Sequence, residues 1–90
     1  MNNSFLIKIN GFSCFPELLP NRIYLAKKTK KPKKGDFLVF RYKKNLIVKK
    51  VNKITKKYIF FEDNFKNIYI VKNNRNFFKV NPSNCKIKLS

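Results

Sequence analysis

Apolar residues fall along this chain in short runs, alternating or continuous, separated by clusters of Lys, Asn, Gly and Pro, and nowhere do they repeat at helical spacing. Phe5-Leu6-Ile7-Lys8-Ile9 predicts a first short strand that feeds a turn at Gly11. Pro16 and Pro20 bracket Glu17-Leu18-Leu19, a segment too short for a helix and read as a rigid turn, after which Arg22 to Ala26 alternates as a second strand. Gly35-Asp36 turns into the run Phe37 to Tyr42, and Lys43-Lys44-Asn45 makes a tight hairpin into Leu46 to Asn52. Tyr58 to Phe61, Ile68 to Val71 and Phe77 to Val80 follow at similar spacing, and Cys85 to Leu89 is expected to add an edge strand. Short strands with polar turns every 8–12 residues predict an all-β fold, a small antiparallel domain built from hairpins and partly closed into a barrel.

Ninety residues form one domain, residues 1–90, with an apolar core of limited size. The charge sharpens the picture. Lys and Arg total 22 against 4 acids, a net +18, which attracts nucleic acid or an anionic membrane surface non-specifically. Lys is nearly the whole of that excess, and the chain has 13 Asn and a single Ala, a composition that AT-rich coding produces as readily as a polyanion site does. The basic run from Lys27 to Lys34, with Pro32 inside it, reads as a solvated connection. No stretch approaches the roughly 20 apolar residues of a membrane span, and no signal-peptide pattern opens the chain, so the expectation is a cytoplasmic protein or one peripheral to a membrane. Cys14 and Cys85 have no partner at metal-ligand spacing, so neither a metal nor a cofactor is expected.

Candidate chemistry centres on Ser13 and Lys49. The chain contains no histidine, which excludes a Ser-His-Asp triad. A lysine serves the same purpose when it is neutral, which requires a desolvated position or nearby positive charge. In an extended strand Ile47, Lys49 and Val51 share one face, so the Lys49 amine emerges between two branched apolar side chains, while Lys50 points to the other face and stays solvated.

The order of four motifs resembles the signal-peptidase and LexA-like serine-lysine peptidases. They are Gly11-Phe12-Ser13-Cys14-Phe15-Pro16-Glu17-Leu18, then Lys34-Gly35-Asp36 before an apolar strand, then Val48-Lys49-Lys50, then Glu62-Asp63-Asn64. Ser13 and Lys49 stand 36 positions apart, close to the separation in LexA-like members. Cys14 replaces the usual Met, Asn21-Arg22 the usual Gly-Asp, Lys50 an Arg and Glu62 a Gly. The resemblance implies a barrel of the LexA C-terminal or signal-peptidase catalytic-core type and a serine endopeptidase. Ser13 would be its nucleophile and Lys49 its general base, with Gly11, Cys14, Asp63 and Asn64 shaping the site and the oxyanion hole. Ile7, Ile9 and Phe12 would line the cleft for a peptide or protein substrate bound as an extended strand. Twelve residues precede Ser13, so cleavage in trans is expected rather than self-cleavage. Two other readings stay open: a small basic β-barrel that binds nucleic acid, with Ser13 and Lys49 incidental, and a catalytically inactive member of the same fold.

Overall fold

The alternating runs become strands in the computed structural model, which describes residues 3–73 and 77–88. They are β1 (Ser4–Ile9), β2 (Arg22–Thr29), β3 (Phe37–Tyr42), β4 (Asn45–Ile54), β5 (Tyr58–Glu62), β6 (Ile68–Lys72) and β7 (Phe77–Lys88). All pair antiparallel in one seven-stranded sheet of order β1-β2-β7-β3-β4-β5-β6. The β3–β4 hairpin closes with Tyr42 opposite Asn45, leaving a two-residue loop in which Lys43 and Lys44 take φ of 49° and 71°. That geometry matches the right-handed twist of the flanking strands and normally selects Asn-Gly. Here the strand pairing imposes it on two lysines.

β3 explains the unbroken run Phe37-Leu38-Val39-Phe40: all four side chains are buried, two on each face of the sheet. Phe37 and Val39 join Val48, Val80, Tyr24, Ala26, Ile9, Leu18 and Cys14 in one core cluster. Leu38 and Phe40 join Val51, Ile59, Phe61 and Phe77 in a second, with Phe40 stacked on Phe61 at 4.3 Å between centroids. The sheet therefore curls over one face of β3–β4 at its β1–β2 end and over the opposite face at its β5–β6 end. Register shifts at Asn52 in β4 and along β2–β7 supply the bends.

Two expectations need correction. The sheet is not closed into a barrel, because ends that curl in opposite senses cannot meet, and β1 and β6 remain its two edges. Cys85 to Lys88 is not a separate edge strand but the continuation of β7, which lies between β2 and β3; Leu89 lies outside the described residues. Pro82 is accommodated within β7 because the β2 register jumps from Ala26↔Val80 to Tyr24↔Cys85, so the residues between bulge away from regular pairing. Among the described residues no helix is long and apolar enough to cross a membrane.

Candidate active site

The loop from Asn10 to Asn21 carries Ser13. Gly11, at φ +81°, opens it in a conformation that side chains rarely adopt, and Asn21, at φ 59°, closes it by donating its N–H to the Ile9 carbonyl at 2.9 Å. Inside, the Leu18 N–H donates to the Cys14 carbonyl and the Leu18 side chain is fully buried, pinning the turn to the first core cluster. The Leu19 N–H donates to the Tyr24 hydroxyl at 2.9 Å. Ser13 is left half-buried, its Oγ 3.9 Å from Cys14 Sγ. The Cys14 thiol donates to the Val48 carbonyl at 3.3 Å. Burial raises its pKa, outweighing the lowering by its contact with Ser13 and by the charge of Lys49.

Lys49 lies opposite Leu38 on the face of β4 that carries Ile47 and Val51, and is only 8% exposed. Its ammonium Nζ donates to Asp63 Oδ2 at 3.2 Å and sits 5.1 Å from the centre of the Tyr69 ring. Asp63 is buried as well. Burial opposes its charge, but donation from the Asn67 N–H and side chain, from Lys49 and from the Phe65 N–H outweighs this and holds its carboxyl below the usual range. The next residue reaches the other way. The Asn64 N–H donates to the Ser13 carbonyl at 3.0 Å, and its side-chain amide donates to the carbonyls of Phe12 and Phe15. The Asp63-Asn64 turn thus clasps the Lys49 strand with one residue and the Ser13 loop with the next.

Ser13 and Lys49 border one cleft of about 570 Å³, formed by β1 from Phe5 to Ile9, by Asn10, Ser13 and Cys14 of the loop that follows, and by β4 from Asn45 to Lys49. Among the described residues no hydrogen bond joins Ser13 to Lys49; the lysine bonds Asp63 instead. Of the residues expected to contact a substrate, Ile7 lines the cleft half-buried. Ile9 borders it but is 5% exposed and belongs to the core. Phe12 does not line the cleft; it is 57% exposed and edge-on to Phe15. Gly11 shapes the turn through its backbone alone. The sequence reading did not include Tyr69, Asn67 or the Val48 carbonyl; Tyr69 was legible only as a strand aromatic, and Asn67 as part of a polar turn. Among the described residues no group of three His, Cys, Asp or Glu side chains could hold a metal ion. No family model, curated protein or solved structure matches the chain.

Proposed function

We propose that this chain is a serine-lysine endopeptidase of signal-peptidase or LexA-like type that cuts a peptide or leader segment in trans. One observation carries the reading: Ser13 and the buried Lys49 border a single cleft along an edge strand, β1, whose outer side pairs with no strand among the described residues and can take an extended peptide. A peptide seated there brings its scissile carbonyl to Ser13. The hydroxyl oxygen adds to the carbonyl carbon while its proton passes to Lys49 Nζ, and backbone N–H groups of the Gly11–Cys14 turn receive the oxyanion. Collapse breaks the C–N bond, the leaving amine takes the proton from Lys49, and water then hydrolyses the acyl-enzyme by the same route. Lys49 bonds Asp63 at rest, so in this reading it turns from that carboxylate to Ser13 when a peptide is bound. That same ion pair favours a second reading, a peptide-binding domain of this fold without turnover.

The test is hydrolysis of a leader peptide with small residues before the cut. Ser13→Ala should abolish cleavage with the fold intact, Lys49→Met should abolish it in a chain that circular dichroism shows to be folded, since it leaves Asp63 buried without its lysine, and Lys50→Met should leave most of it. Equal losses from Lys49→Met and Lys50→Met would mean that charge, not a positioned base, is what matters. Peptide binding without cleavage would select the second reading. Binding of nucleic acid that weakens steeply with salt, with no peptide bound, would replace both.

A further inference from the structure

Among the described residues the sheet ends on β6, which pairs with β5 on one side only. Natural edge strands are protected from pairing by charges that point inward, by proline, by bulges or by shortness. β6 has no proline, no bulge and no charge before Lys72, its last residue. Its inner face carries Tyr69 and Val71, packed on the second core cluster. Its outer face carries Ile68 and Ile70, 60% and 55% exposed, with Ile70 opposite the half-buried Phe60 of β5 and the exposed Tyr58 on the same face. β1, the other edge, has a different outer face: Leu6 alternates there with the exposed Lys8.

We propose that β6 pairs with β6 of a second copy of this chain, antiparallel about a two-fold axis at Ile70. A strand edge calls for another strand, and this one is complementary to itself. With Ile70 opposite Ile70 of the second copy, Tyr69 falls opposite Val71 and Ile68 opposite Lys72, so no lysine of β6 meets a lysine across the new ladder. The Lys72 stem then lies along Ile68, and Glu62, which neighbours Ile68 in β5, offers an opposite charge two strands, about 10 Å, away from it. The contact is isologous and closes at two copies, which joins both sheets into one and covers four isoleucines. A contact of one strand is small, and each copy carries +18, so association is weak and strengthens with salt as the mutual repulsion is screened. Attraction to a polyanion has the opposite salt dependence.

Sedimentation equilibrium of the full chain, at about 50 mM and about 500 mM salt, tests this. The dimer fraction should rise with salt. Ile70→Lys places lysine against lysine on the axis and should weaken the dimer about tenfold or more, whereas Leu46→Lys, the same charge placed on the exposed start of β4, should leave it unchanged; circular dichroism confirms that both variants stay folded. A monomer at the highest concentration in high salt, a dimer that weakens with salt, or a dimer indifferent to Ile70→Lys would each overturn the proposal.

Discussion

Lys49 and Lys50 are neighbours in β4, and each is paired with a carboxylate brought from elsewhere in the chain, yet the two pairs have little in common. Lys49 meets Asp63 with both side chains nearly out of solvent, 10% and 1% exposed, whereas Lys50 meets Glu17 with 47% and 43% exposed. Strand parity alone separates them: one step along β4 moves a side chain from the face of Ile47 and Val51 to the face of Phe37, over whose ring Lys50 Nζ lies at 5.9 Å. Ion pairs of similar length, 3.2 and 3.1 Å, are therefore expected to differ in every property that depends on water.

The largest difference should be in stability. Asp63→Ala leaves the Lys49 charge buried without its carboxylate and orphans the N–H groups of Phe65 and Asn67, a loss of about 3–5 kcal/mol in chemical denaturation. Glu17→Gln should cost less than about 1 kcal/mol, because water already screens that pair. Similar costs for the two substitutions would erase the distinction.

Acid should sharpen it. The Asp63 carboxyl lies below its ordinary value in the folded chain, so its contribution is complete above the unfolded value of about 3.9 and is lost as pH falls through the lower folded one. The sign is the same for Glu17, lowered chiefly by its hydrogen bond from Lys50, but its effect is muted by exposure. Asp63→Asn should flatten the acid limb of a stability-against-pH curve, and Glu17→Gln should hardly alter it. A wild-type curve already flat below pH of about 4 would contradict the hydrogen bonds and ion pair argued to lower the Asp63 carboxyl.

The smallest effect is read at Cys14, whose raised thiol pKa is partly offset by the charge of Lys49. Titration of the thiolate absorbance should move further upward in Lys49→Met and stay put in Lys50→Met. A shift of equal size in both variants would mean that overall charge reaches Cys14, not one neighbour.

Most strands were legible because a half-buried strand must alternate and β3, buried on both faces, must not. The strand face shared by Ile47, Lys49 and Val51 followed from the same period of two. What the sequence hid were pairings between distant segments. Nothing local says that Phe77 to Lys88 inserts between β2 and β3, and the turn residues Asn81 to Asn84 read as a break because the bulge that tolerates Pro82 exists only against β2. Asp63 and Asn64 were placed by motif order as shapers of the site, but that Asp63 would be the hydrogen-bond partner of Lys49 depends on how the β5–β6 connection folds back over β4.

The insertion of β7 has a consequence for the order of assembly. Strands β3 to β6 form a meander of sequential neighbours, each closed by a short connection, and such local pairing is fast. The β1–β2 hairpin is also local, but within the sheet it joins that meander through β7, which follows the other six strands in chain order. Ser13 belongs to the hairpin half and Lys49 to the meander half. The two residues of the proposed dyad are therefore carried on two separately forming pieces during synthesis, and the sheet that unites them is completed only when β7 pairs with both halves. A nascent chain stalled before Phe77 would hold both residues and still lack the sheet that unites them.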